Sequence, residues 1–183
     1  FTTLKPEMIE TFEIGVDLRL FNNKLGLDVA YYDIKSTDQF LSLAAPSGSG
    51  YTSYFVNAGK IVNNGIEVTI TNSIIDNANF KWNSILNITQ NTNEIVEIHP
   101  DISALNTGAS EGFQSQMRKG GSVGDFYTFM HKRDAQGRIE MAAGVPLRGA
   151  ERVLAGNAEP DVSLGWSNNF NIGESLSVGF IIN

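Results

Sequence analysis

Between Thr11 and Phe21 the even-numbered positions are Phe12, Ile14, Val16, Leu18 and Leu20, and the odd ones before Phe21 are Thr11, Glu13, Gly15, Asp17 and Arg19. This unbroken period-two alternation predicts a β-strand with one dry face and one wet face. Asn22-Asn23-Lys24 comes next, and because asparagine tolerates positive φ the three residues predict a tight turn. The returning strand starts at Leu25, with Leu27, Val29 and Tyr31 on one face and Gly26, Asp28 and Ala30 on the other. Alternation resumes with Ile66, Val68 and Ile70 against Glu67, Thr69 and Thr71, and a turn is expected at Asp76-Asn77-Ala78-Asn79. Phe80, Trp82, Leu86 and Ile88 then oppose Lys81, Asn83, Asn87 and Thr89, although Ser84 and Ile85 interrupt the pattern. A last hairpin places Val162, Leu164, Trp166, Phe170 and Ile172 before a Gly173-Glu174 turn, and Leu176, Val178, Phe180 and Ile182 after it.

Two stretches lack this regularity. Residues 38–60 contain Pro46, Ser47, Gly48, Ser49 and Gly50, bracketed by Phe40, Tyr51, Tyr54 and Phe55, and are expected to form a long loop. Residues 93–160 are mixed, with one expected local hairpin of Val123–Met130 against Arg138–Ala142 around Asp134-Ala135-Gln136-Gly137. Short turns at 22–24, 76–79 and 173–174 thus alternate with long connections at 38–60 and 93–160. Outer-membrane barrels alternate in this way, with short turns in the periplasm and long loops outside. On that reading the 123–142 hairpin either lies within the external excursion, the favoured placement, or crosses the membrane as a complete pair; in the favoured placement six strands span the membrane. Six cannot close a barrel, because about eight is the smallest number found. The expected fold is therefore all-β, an antiparallel up-and-down transmembrane β-barrel segment with an extracellular loop hairpin.

Composition narrows the alternatives. No run of about 18 apolar residues occurs and the chain opens on Thr2-Thr3-Leu4-Lys5-Pro6-Glu7, which argues against a helical span and a signal peptide. A transmembrane β-strand needs only about 9–11 residues, so hydropathy does not exclude a barrel. Thirteen basic against twenty acidic residues, a formal charge of -7, make a nucleic-acid surface improbable. The absence of cysteine removes thiolate chemistry and disulfides and permits an extracytoplasmic location.

Candidate chemistry is sparse. His99 and His131 lack metal-ligand spacing, so no metal or cofactor is expected. Asp125, Asp134 and Asp161 are scattered, and Asp134 reads as a turn former because its segment lacks the further ligands of a calcium loop. Ser47-Gly48-Ser49-Gly50 is neither a nucleophile elbow nor a phosphate loop. No acidic pair stands out for glycoside hydrolysis, and the expectation is that the chain is not an enzyme. Tyr31, Tyr32, Phe80, Trp82 and Trp166 suit an interfacial girdle or packing rather than sugar stacking. Tyr51, Tyr54 and Phe55, in the expected external loop, are the candidate substrate-binding aromatics, set against ordinary loop packing.

Several clusters together resemble a family. Leu4-Lys5-Pro6-Glu7 is followed by Phe12-Glu13-Ile14-Gly15, Asn57-Ala58-Gly59-Lys60-Ile61 by Asn64-Gly65-Ile66-Glu67, and Gly156-Asn157-Ala158-Glu159-Pro160 leads to Gly165-Trp166. These look like the C-terminal barrel portion of SusC/RagA-type TonB-dependent transporters. The Asn57–Glu67 cluster is the most specific part. Its glycines relieve backbone strain where a long loop joins the sheet, and Asn63 and Asn64 can satisfy backbone groups there.

The resemblance implies a barrel of about 22 strands with a plugged lumen, importing oligosaccharides or peptides across the bacterial outer membrane with energy relayed by TonB. It implies a SusD-like surface lipoprotein as partner. Residues 1–183 would then be a partial barrel domain, cut at both ends and without the plug domain, and not expected to transport alone. The rival is a soluble cell-surface β-sandwich that binds carbohydrate, in which a second sheet would cover the apolar faces.

Overall fold

The computed structural model describes residues 4–183 except Pro46 and Glu111, so Phe1–Thr3 and the Pro46 of the expected loop lie outside the described residues. Among the described residues there are fourteen strands: β1 (Met8–Leu20), β2 (Leu25–Thr37), β3 (Phe40–Ala44), β4 (Ser53–Asn57), β5 (Lys60–Asp76), β6 (Phe80–Glu97) and β7 (Leu105–Ser110). They continue as β8 (Phe113–Met117), β9 (Asp125–His131), β10 (Met141–Ala142), β11 (Val145–Pro146), β12 (Arg148–Asn157), β13 (Val162–Ile172) and β14 (Leu176–Ile182). The chain divides into two compact units, one of Ile9–Lys35, Val62–Thr92 and Pro160–Asn183, the other of Phe1–Met8, Ser36–Ile61 and Asn93–Glu159.

The first unit is built on a six-stranded sheet in the order β1-β2-β5-β6-β13-β14. Neighbours in the sheet are neighbours along the chain except where the β3–β4 and β7–β12 segments intervene, which is up-and-down order with two excursions. Lengths of 13, 17 and 18 residues for β1, β5 and β6 exceed the roughly 9–11 that a tilted strand needs to cross a bilayer. The three predicted turns are present. Phe21, Asn22 and Asn23 all adopt left-handed φ (55°, 55° and 64°), so the turn begins one residue earlier than expected. At the second, Asn77 Oδ1 accepts from the Asn79 and Phe80 amides at 3.0 and 2.8 Å. Gly173, at φ 60°, makes the third, and its amide donates to Asn79 O at 2.8 Å.

The second unit corrects two expectations. Residues 38–60 are not simply a loop: β3 and β4 form a hairpin pairing Phe40 with Asn57 and Leu43 with Tyr54. Leu41 and Leu43 are buried, which gives this hairpin an apolar face that the serine- and glycine-rich tip had concealed. In the 93–160 region, the expected pairing of Val123–Met130 with Arg138–Ala142 does not form. β9 lies instead between β8 and β12 in a sheet ordered β12-β9-β8-β7. The Asp134–Gly137 turn exists and is closed locally by an Arg133–Ile139 bridge and by Asp134 N–Arg138 O and Glu140 N–Lys132 O bonds, both at 2.9 Å, and β10 pairs with β11. β12 supplies two arginines that cover the Phe129 ring, whereas Arg138 of the nearer segment is held within its own turn by Asp134 at 2.8 Å.

Candidate functional site

The six-stranded sheet separates two surfaces of opposite chemistry. On one, β6 and β13 pair Phe80 with Ile172, Trp82 with Phe170, Leu86 with Trp166 and Ile88 with Leu164. On the other they pair Lys81 with Asn171, Asn83 with Asn169, Asn87 with Gly165 and Thr89 with Ser163. Cross-strand partners share a face, so the alternation read along each strand becomes continuous across the sheet. The apolar surface is left open: Phe12, Ile14, Leu164 and Val178 are 59, 60, 57 and 49% exposed.

Ser84 and Asn168 are the polar exceptions on that apolar surface, and they face each other across β6 and β13. Trp82 Nε1 donates to Asn168 Oδ1 and Trp166 Nε1 donates to Ser84 Oγ, both at 2.9 Å. Each tryptophan thus reaches diagonally to a polar group on the neighbouring strand, and both polar groups are buried beneath rings. Trp82 and Phe170 stack at 5.5 Å, and Phe180 meets Trp166 edge-on at 5.7 Å. The Asn168 and Ser84 oxygens thereby meet indole N–H groups that also need partners, while Asn168 Nδ2 finds none among the described residues. Ile85, the other irregularity, sits on the wet face opposite Ser167.

The wet face is knit by neutral hydrogen-bonding side chains. Thr69 Oγ1 donates to Asn87 Oδ1 at 3.0 Å, and Ser177 Oγ to Asn169 Oδ1 at 3.0 Å. Tyr32 lies on this side, its hydroxyl donating to Asn91 Oδ1 at 2.8 Å and its ring covering Gly65. Tyr32 is therefore a packing residue here, while Phe80, Trp82 and Trp166 lie on the apolar side. Gly65 leaves the space that Tyr32 fills, a role the sequence motif could not reveal.

The short-strand unit shows what the other motif residues do. The Asn57 side chain acts as a peptide mimic: its Oδ1 accepts from Lys5 N at 2.6 Å, and its Nδ2 donates to the Lys5 and Asp38 carbonyls, each at 2.7 Å. Gly59 takes φ 93°, and its backbone passes so close to Glu97 that a Cβ would stand 3.3 Å from the Glu97 carbonyl oxygen. Gly156 lies under the Phe126 ring, and Asn157 links Glu159 N (2.7 Å) to buried Asp125 (3.2 Å). Asn93 gathers Ser122 Oγ and Val123 N on its Oδ1, at 2.7 and 2.8 Å, and donates to Glu159. These clusters are hydrogen-bonded corners where strands give way to connections.

The candidate aromatics do not converge. Tyr54 shares a face of the β3–β4 hairpin with Leu43, Phe55 lies on the opposite face with Ser42, and Tyr51 is 70% exposed at the hairpin end. Asp134 is a turn former: its Oδ1 accepts from the Gln136 and Arg138 amides, both at 2.9 Å, and its Oδ2 from Arg138 Nε at 2.8 Å. Those bonds, chiefly the Arg138 amide, hold its carboxyl below the usual range. His99 sits beside Asp101, while His131 lies on β9 opposite Arg148. Asp125 is tied to Ser122 N and Asn157. Among the described residues, no three His, Asp or Glu side chains gather to hold a metal ion.

Sequence reading missed the surface formed by β8, β9 and β12. Tyr127 and Phe129 share a face of β9, with Arg118 placed 4.2 Å from the Tyr127 ring centre, and Arg148 and Arg152 at 4.1 and 4.6 Å from that of Phe129. The signal available in the sequence was compositional: 118–152 holds seven of the thirteen basic residues and four of the twenty acidic ones.

Residues 1–177 match the family model described as TonB dependent receptor-like, beta-barrel. TonB-dependent receptor P3 of Formosa agariphila is 29% identical over 191 residues, covering 91% of this chain and 19% of that protein. TonB-dependent receptor SusC of Bacteroides thetaiotaomicron is 30% identical over 96 residues, 52% of this chain and 10% of that protein. Among solved structures, the RagAB peptide transporter superposes with a TM-score of 0.73 at 19% identity, covering 94% of this chain and 20% of the other. The chain thus spans about a fifth of the length of the first of these relatives.

Proposed function

Because the chain belongs to the TonB dependent receptor-like β-barrel family, we propose that it forms part of the wall and external loops of an outer-membrane nutrient transporter. The observation that carries this reading is the two-faced sheet. One surface presents open, large apolar side chains suited to lipid, and the other a ladder of Asn, Thr and Ser suited to a wet lumen. A soluble sandwich would need a second sheet over the apolar surface. The exposure of Phe12, Ile14, Leu164 and Val178 supplies no such cover, so that rival is not favoured.

In this proposal the turns at 22–24, 76–79 and 173–174 lie in the periplasm, and 38–60 and 93–160 lie outside the cell. The aromatic side chains of Phe80, Trp82 and Phe170, each within three residues of a periplasmic turn, then sit where a girdle belongs, and Trp166 and Phe180 lie further along the same surface. The transported solute would be an oligosaccharide or peptide, met on the outside by residues including Tyr51, Tyr54 and Phe55. Energy would come through TonB and a plug supplied by other parts of the protein, with a SusD-like lipoprotein as surface partner. No bond chemistry is assigned to the chain.

The test is topology in intact cells. Single cysteines at Ser49 and Asn77 of the full-length protein, in a background free of other cysteines, are treated with a membrane-impermeant maleimide. Labelling at 49 alone, together with heat-modifiable gel migration of the detergent-purified protein, is the expected result. Equal labelling at both, or a folded protein that needs no detergent, overturns the proposal.

A further inference from the structure

The face of the β12-β9-β8-β7 sheet that carries Tyr127 and Phe129 gathers three arginines against two aromatic rings. Cross-strand register puts Gln114, Leu154, Arg152 and Arg148 on the same side as Tyr127, Phe129 and His131. Arg148 and Arg152 both lie against the Phe129 ring, and Arg118 lies against Tyr127 while its Nε and terminal nitrogen donate to Gln116 Oε1 at 3.1 and 2.7 Å. Among the described residues, none of these three guanidiniums meets a carboxylate, whereas Lys132 pairs with Glu140 and Arg138 with Asp134 at 2.7 and 2.8 Å. The one acid in register on this face, Asp125, is buried and engaged by Ser122 N and Asn157.

A guanidinium laid against a ring keeps N–H groups for a carboxylate or sulfate: Arg118 spends Nε and one terminal nitrogen on Gln116 and Arg152 one terminal nitrogen on Tyr127 O at 3.5 Å, which leaves further donors on both. In a chain of net charge -7, arginines held ready and left without carboxylate partners point to an anionic ligand. We propose that the Arg118, Arg148 and Arg152 face binds the acidic groups of a charged oligosaccharide, with Gln114 on the same face serving neighbouring hydroxyls. A saccharide fits better than an acidic peptide because the arginines and the Gln114 amide share one sheet face, where side chains meet carboxylates and hydroxyls together, whereas a peptide would pair by its main chain along the β12 edge. The inference rests on the transporter reading only in taking this face as external; binding itself is independent of it.

The test is binding of oligogalacturonate to the full-length protein in detergent, by calorimetry, with a neutral maltooligosaccharide and an oligoglutamate as comparisons. Oligogalacturonate is expected to bind at least tenfold more tightly than either, and affinity should fall as salt rises from about 0.05 to 0.5 M. Arg148→Gln and Arg152→Gln should each weaken it about tenfold. The lysine versions, which keep charge but lose the planar fork, should recover only part of that loss. Arg138→Gln, whose partner is Asp134, should bind like the unsubstituted protein. Unchanged binding in R148Q and R152Q, or no preference over maltooligosaccharide, overturns the site; equal binding of oligoglutamate overturns the ligand class. Heat-modifiable migration measured on every sample keeps failure of this site distinct from failure of the barrel reading.

Discussion

Replacing Gly65 by alanine tests how the wet face is packed. A Cβ at Gly65 would stand 2.5 Å from the Tyr32 hydroxyl oxygen and 2.7 Å from its Cζ, and would also meet the Gln90 carbonyl oxygen inside contact distance. Tyr32 can swing away only by giving up its hydrogen bond to Asn91, a net loss of about 1 kcal/mol. The Gln90 oxygen is main chain and moves only if β5 and β6 separate, an overpacking strain of about 1–3 kcal/mol. Gly65→Ala should therefore destabilise by about 2–4 kcal/mol. The measurement is the urea midpoint of the full-length protein in detergent, followed by tryptophan fluorescence. Tyr32→Phe should cost about 1 kcal/mol. Tyr32→Ala placed on the Gly65→Ala background should relieve the ring clash but not the backbone one, so the two substitutions should couple. Gly165→Ala is the control: it lies on the same face, and its Cβ would meet only atoms 3.4–3.9 Å away, so it should change stability by less than about 0.5 kcal/mol. Gly65→Ala no more damaging than Gly165→Ala would refute the reasoning.

Asn168→Ala leaves the Trp82 indole N–H unpaired beneath the ring cluster, and should cost about 1–3 kcal/mol in the same unfolding assay; adding Trp82→Phe should recover part of it. Asn57→Ala removes three hydrogen bonds that join Lys5 and Asp38, so limited proteolysis should cut near residues 5 and 38 several times faster than in the parent protein. Asp134 has a folded carboxyl pKa held below 3.8. Its contribution to the 134–138 turn is fully present above that value and lost as pH falls through the lower folded one, so cleavage at Arg138 by an acid-active protease should rise only below about pH 3.8 and should lose that pH dependence in Asp134→Asn.

The strands whose alternation is unbroken or interrupted once were legible from residues alone. Thr11–Phe21 and Val162–Ile182 declare their two faces, because a period of two has one structural meaning, and Asn22, Asn77 and Gly173 mark turns through local backbone chemistry. The motif clusters could be noticed but not explained in the same way: Asn57 matters for reaching Lys5, and Gly65 for lying beneath Tyr32. Ser84 and Ile85 looked like a broken pattern and became intelligible only once β13 brought Asn168, Trp166 and Ser167 alongside. The pairing of β9 with β12 in place of 138–142, and with it the arginine face, depended on contacts across some twenty residues of chain. Period and turn propensity are local properties that a sequence carries outright. Which strand lies beside which, and which side chains meet across them, is settled by the competition among distant partners, and that competition exists only in the folded molecule.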